Sequence, residues 1–322
     1  MLLLSGRTGV RPLRDHSKIE RPENLKKVIL IMKEKKISTR STVREIITNH
    51  NLQTKKKLGQ HFLVDERVVE KIINASNIDE NTVILEVGPG IGVLTQRLVE
   101  EANHVIAIEL DKQLIPVLEE NFINSPLTIV QGDILKVDLQ EILKPFQNMD
   151  IKVVANLPYY ITTPIILYML ESDIKFKSIT VMVQKEVAQR MAANSGKKEY
   201  GSLSLAVQYH ADVEIVAYVP VNCFMPRPGV DSAVVHLKIL ENKRVDGNKE
   251  ELFKVIHAAF NKRRKTLVNA LDSADIGNGK ENIANILESI GLDPQIRGEK
   301  LNIFQFSQLA EALNLQSEEE LK

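Results

Sequence analysis

Short apolar runs alternate with stretches of helical spacing through the first two thirds of the chain. Residues 83–87, 105–110, 127–130 and 152–155 are rich in Val, Ile and Leu, the composition of strands buried on both faces. Between them, 95–101, 112–121 and 139–143 carry helical patterns. Strand and helix alternating at this interval imply right-handed crossovers and a parallel sheet. A helix over 66–75 is expected to cover that sheet, and further strands are predicted at 178–183, 214–219 and 233–239. The last two have no helix-length spacer, which predicts an antiparallel pair closing the sheet. Near residue 245 the texture changes. Patterns over 250–271, 280–290 and 305–313 are amphipathic and helical, with no strand between them. The expected architecture is an α/β domain over 32–245 with a mostly parallel sheet and a terminal antiparallel pair. A small all-helical domain follows over 246–322.

Charge refines this picture at one end. The formal net charge is zero, yet residues 1–60 hold 15 Lys and Arg against 5 Asp and Glu. That asymmetry marks a basic arm suited to meeting phosphates, including Lys55, Lys56 and Lys57. Residues 1–31 are expected to be a disordered basic extension and take no part in the fold reasoning. No apolar run approaches the ~18 residues of a membrane span. The opening Met1-Leu2-Leu3-Leu4 is too short for the apolar core of a signal peptide. The single Cys223 and seven scattered histidines offer no disulfide framework and no zinc-ligand spacing. The expectation is a cytoplasmic monomer with no membrane partner and no metal.

The chemistry lies where predicted strands end. The first runs into Glu86-Val87-Gly88-Pro89-Gly90-Ile91-Gly92, where Gly88 and Gly90 let the backbone turn sharply and approach a ligand. A glycine-rich turn is shared with dinucleotide-binding folds, although their G-x-G-x-x-G spacing differs from the G-x-G-x-G here. Gly88, Glu109, Asp133 and Asn156 follow one another at intervals of 21, 24 and 23 residues, one per β–α unit. In a parallel sheet all four line the carboxyl edge, where such sheets bind ligands. Glu109 there can accept from two ribose hydroxyls, and Asp133 from an adenine amine. The fourth unit reads Asn156-Leu157-Pro158-Tyr159. An Asn oxygen and a backbone carbonyl can both accept from an exocyclic amine, the proline stiffens the turn, and the tyrosine offers a stacking face.

These segments resemble the ribosomal RNA adenine dimethyltransferase family, most closely its KsgA branch. The resemblance runs from about Ile37 to Leu313. It includes Lys57-Leu58-Gly59-Gln60-His61-Phe62-Leu63-Val64-Asp65, the Gly88 loop and the Asn156 turn. It also includes the stretch Phe224-Met225-Pro226-Arg227-Pro228-Gly229-Val230-Asp231-Ser232-Ala233 and Arg263-Arg264-Lys265-Thr266-Leu267. The resemblance implies a Rossmann-like methyltransferase domain using S-adenosylmethionine. His61, Leu63, Gly88, Gly90, Glu109, Asp133 and Asn156 would meet the cofactor or the reacting centre. Asn156, Leu157 and Tyr159 would serve catalysis, and Phe224 would help hold a flipped adenine. His61 and Tyr160 stand where relatives often have Asn, which leaves open whether His61 acts by side chain or backbone and leaves Tyr160 without a role. Lys262, Arg263, Arg264 and Lys265, placed in the first C-terminal helix, would join Lys55–Lys57 in gripping RNA. The implied partner is small-subunit ribosomal RNA in a partly assembled subunit. Three other readings stay open at this point: an Erm-type enzyme acting on large-subunit RNA, a nicotinamide-dependent dehydrogenase on a similar sheet, and an RNA-binding assembly factor with an inactive pocket.

Overall fold

A computed structural model describes residues 36–52 and 59–319, with side chains placed through residue 313. The extension 1–31 and Lys55, Lys56 and Lys57 lie outside the described residues. The apolar runs become strands β2 (Thr82–Val87), β3 (His104–Glu109), β4 (Leu127–Gln131) and β5 (Asp150–Asn156), followed by β6 (Phe176–Gln184). Every residue of β2 and β3 is buried, which is why their sequences show no alternation. β2 pairs in parallel with β3 and β5, β3 with β4, and β5 with β6. β9 (Ser232–Ile239) then runs antiparallel to β6, with β7 (Ala211–Val219) beyond it. The order is β4-β3-β2-β5-β6-β9-β7, a mixed sheet that is mostly parallel. A separate two-residue ladder joins β1 (Phe62–Leu63) to β8 (Phe224–Met225), pairing Leu63 with Phe224.

Helices α1 (Arg40–Asn49), α2 (Glu66–Ser76), α3 (Val93–Glu101), α4 (Ile115–Asn121) and α5 (Leu139–Leu143) alternate with these strands. Their starts follow local chemistry. The side chains of Thr39, Asp65 and Asp138 accept N-terminal amides of α1, α2 and α5, and Pro116 opens α4. α6 (Thr162–Glu171) buries Ile165, Ile166, Met169 and Leu170, and it is apolar nearly all round. A search for amphipathic spacing passes over such a helix.

Residues through Lys185, with Ile215–Lys238, form one compact unit. Glu186–Glu214 and the chain from Ile239 onward form a second. The second contains α7 (Lys185–Ala192) from Glu186, α8 (Ser202–His210), α9 (Lys249–Asn261), α10 (Leu267–Asp272), α11 (Lys280–Ser289) and α12 (Ile303–Glu319). Tyr200, Leu205 and Tyr209 share its core with Leu252, Ile256 and Phe306, so residues 186–214 pack with helices that the sequence placed after residue 245. The helix expected over 250–271 is in fact two. α9 ends at Asn261, the chain turns through Lys262–Lys265, and Thr266 caps α10 by accepting from the amide of Asn269. The basic run therefore occupies a turn and not a helix, because a capping threonine restarts the helix behind it.

Candidate active site

The glycine turn after β2 uses backbone that other residues avoid. Gly88, Gly90 and Gly92 have φ of +67°, +64° and +94°. A Cβ on Gly90 would sit 3.2 Å from the Phe62 ring, so the loop passes tightly beneath β1. Glu109, at the end of β3, is buried, and each of its oxygens is engaged. Oε2 accepts from the Gly90 amide at 3.1 Å and Oε1 from the Asp111 amide at 2.8 Å. Burial raises its carboxyl above the ordinary value, while bonds from Asp111 and Gly90 hold it down. A carboxylate has lone pairs beyond those that these amides use, so Glu109 can still accept. Gln60 donates to Asp111 at 2.8 Å and so ties the segment before β1 to the same acid.

Asp133, after β4, accepts the Leu135 amide through Oδ1 at 3.1 Å, and Lys136 lies 3.8 Å from Oδ2. It thus caps its own turn and still lines the pocket. Asn156, at the end of β5, donates from Nδ2 to the His61 carbonyl at 3.1 Å. That bond fixes the amide and leaves Oδ1 as its acceptor. His61 is engaged through both backbone and ring. Its carbonyl orients Asn156, its ring stacks on Tyr159 at 5.7 Å, and Nδ1 lies 2.9 Å from the Pro226 carbonyl. Tyr159 is held at its far end by the Ser232 hydroxyl, and burial raises its phenol above the ordinary value. Leu157 is buried and donates its amide to Met182.

One cavity gathers His61, Leu63, Gly88, Gly90, Glu109, Asp133, Asn156, Leu157 and Tyr159. Phe224 is absent from its lining. It is fully buried in the core of the first unit, opposite Leu63 across the β1–β8 ladder. Lys262, Arg264 and Lys265 are exposed in the second unit, whereas Arg263 is committed to Glu299 at 2.8 Å and to the Lys198 carbonyl.

A family model described as ribosomal RNA adenine dimethylase matches residues 51–314. This chain belongs to that family. The dimethylase is 50% identical over 275 residues to a ribosomal RNA small subunit methyltransferase A from Lachnoclostridium phytofermentans, spanning 84% of this chain and 95% of that protein. It is 45% identical to a protein of the same name from Clostridioides difficile, over 87% of this chain and 97% of the other. Among solved structures, a dimethyladenosine transferase from Plasmodium falciparum superposes with a TM-score of 0.69 at 27% identity, covering 80% of this chain and 98% of that one. The 23S rRNA methyltransferase ErmE gives 0.63 at 23% identity, over 79% and 99%, and shows the shared fold.

Gln60, Glu86 and Ser232 also bear on this site, although no motif in the sequence gives them a role. Glu86, the residue before the glycine turn, is buried, accepts from the Thr95 hydroxyl at 2.7 Å, and lines the pocket. Desolvation pushes its carboxyl up to about 8 against the pull of the Thr95 bond, with Glu109 adding repulsion. A carboxylate in the midst of a fully buried strand end was the available signal. Among the described residues no group of three or more His, Cys, Asp and Glu could hold a metal, and no helix is long and apolar enough to cross a membrane.

Proposed function

We propose that this enzyme transfers two methyl groups from S-adenosylmethionine to the exocyclic N6 amine of an adenine in small-subunit ribosomal RNA. It acts as a cytoplasmic monomer on a partly assembled subunit. The observation that carries the reading is the oriented amide of Asn156, one of whose two N–H donors is held by the His61 carbonyl, which leaves Oδ1 to accept from an amine. The pocket's residues fit the cofactor. Glu109 can accept from ribose hydroxyls, Asp133 can accept from the cofactor's adenine amine, and Gly88 and Gly90 remove the side chains that would bar close approach. His61 and Leu63 complete the wall. When bound, S-adenosylmethionine supplies a methyl group activated by its sulfonium.

The chain's own residues position and orient. In the first transfer Asn156 Oδ1 and the Leu157 carbonyl accept the amine's two N–H bonds, and in the second one of them accepts the single N–H that remains. This turns the nitrogen lone pair out of ring conjugation, and each methylated nitrogen then loses a proton to water. Tyr159, anchored by Ser232 and His61, stacks the target base and faces the positive charge that develops on it. Phe224 supports this wall from behind by fixing Leu63. Catalysis is then mainly placement. The amine lies inside paired or stacked RNA, so the base is splayed out to enter the pocket. Lys262, Arg264 and Lys265, with Lys55–Lys57, hold RNA phosphates.

The Erm-type reading is disfavoured by the 43–50% identity to proteins named as small-subunit methyltransferases, against 23% to ErmE. The test offers labelled S-adenosylmethionine with small subunits lacking the modification, beside protein-free large-subunit RNA. Digestion should place label in dimethyladenosine from the small subunit. Label confined to large-subunit RNA would reinstate the Erm-type reading, and label in neither would leave an inactive pocket.

A further inference from the structure

The turn after β5 carries two consecutive tyrosines in different surroundings. Tyr159 is half-buried, bonded through its hydroxyl to Ser232 and stacked on His61. Tyr160 lines the same cavity, yet it is 54% exposed. Its ring lies over Gly59, where a Cβ would be 3.6 Å from Tyr160 Cδ1. The phenol is raised above its ordinary value by burial, then by the charges of Asp133 and Glu109. Tyr160 thus lines one cavity with the two acids assigned to the cofactor, whereas Tyr159 is tied to the side formed by His61 and Ser232. A large aromatic surface left open at the mouth of a concave site is one that a bound ligand can cover.

We infer that Tyr160 is a positioning residue for the cofactor, its exposed ring forming the outer wall against which the adenosine of S-adenosylmethionine packs, while Tyr159 serves the target base. The inference rests on the function proposed above. The ring is the working part, so phenylalanine should substitute for it and alanine should not.

The test is calorimetric titration of the full chain with S-adenosylhomocysteine, using wild type, Tyr160→Phe and Tyr160→Ala. Tyr160→Ala should bind about tenfold more weakly, the effect of uncovering part of one aromatic face. Tyr160→Phe should stay within about twofold of wild type, and the KM for RNA should be unchanged in both. The near-ultraviolet circular dichroism change that the ligand induces in wild type should shrink in Tyr160→Phe, because the tyrosine band at this position is gone. Because Tyr160 is exposed, both variants should melt with wild type. Tyr160→Ala binding within twofold of wild type would overturn the inference, as would a rise confined to the KM for RNA. Failure of the wild type itself to bind S-adenosylhomocysteine would instead overturn the proposed function, so the two failures are distinct.

Discussion

One N–H of Asn156 is held by the His61 carbonyl and its Oδ1 is proposed to accept from the substrate amine, so its replacement should separate chemistry from cofactor affinity. Asn156→Ala should abolish methyl transfer while S-adenosylhomocysteine still binds within a few-fold of wild type, because Glu109 and Asp133 remain. Turnover within tenfold of wild type would remove Asn156 from the mechanism. Glu86 makes a different prediction, in stability. Its carboxyl titrates near 8 in the folded chain because burial disfavours the charge, against about 4.3 when unfolded. The folded state thus holds a proton that the unfolded state has lost over this window. Stability contributed by the protonated Glu86 is complete below the unfolded value and is lost as pH rises toward 8. Glu86→Gln should therefore flatten the fall in urea midpoint between about pH 5 and pH 8. Parallel pH profiles for the two proteins would show that Glu86 is ionised throughout. Gly88, Glu109, Asp133 and Asn156 were legible in the sequence because one position per β–α unit is a local property. The bonds of Gln60 to Asp111 and of Tyr159 to Ser232 were not, since they join residues 51 and 73 positions apart.

At the scale of elements, the turn between β2 and α3 fixes where the pocket floor meets the helix. Gly92 caps α3 in the left-handed region, and a Cβ there would lie 2.3 Å from Cε2 of the buried Phe122. Gly92→Ala should lower stability by about 2–5 kcal/mol, the sum of left-handed strain and overpacking. A urea midpoint unchanged by that substitution would show that Phe122 can move aside freely. The same contrast explains which elements the sequence disclosed. β2 and β3 announce themselves through mainly apolar runs without alternation, and α2 through its amphipathic face. α6 and α8 escape because their apolar residues are not confined to one stripe. The split between α9 and α10 hides in a single residue, Thr266, whose side chain serves the backbone and carries no periodic signal.

For the whole molecule, selectivity for one adenine in a long RNA must come from surfaces outside a pocket that reads a single base. The basic turn of the second unit is the surface proposed for this, and its residues differ in their contacts. Arg263 is bound to Glu299 within the segment Arg297–Leu301, whose Gly298 approaches Ala259 so closely that a Cβ would lie 2.8 Å from it. Arg263 thus helps hold that segment to the end of α9. Lys262, Arg264 and Lys265 are exposed in the turn beside it and are the residues assigned here to phosphate contacts. Replacing these three with Ala should leave the melting temperature unchanged and lower the salt slope of RNA binding by roughly 2–3, at about 0.7–0.9 per phosphate contact. Arg263→Ala should do the reverse, destabilising the second unit modestly, as a partly exposed ion pair would, with little change in slope. The sequence presented all four as one basic run, and the bonds to Glu299, 36 residues away, and to the Lys198 carbonyl set Arg263 apart. Binding isotherms at several salt concentrations, with thermal melts of the same variants, decide the matter. A slope unchanged in the triple variant would mean that RNA does not reach this turn. A slope lowered equally by Arg263→Ala would mean that its ion pair opens to meet phosphate.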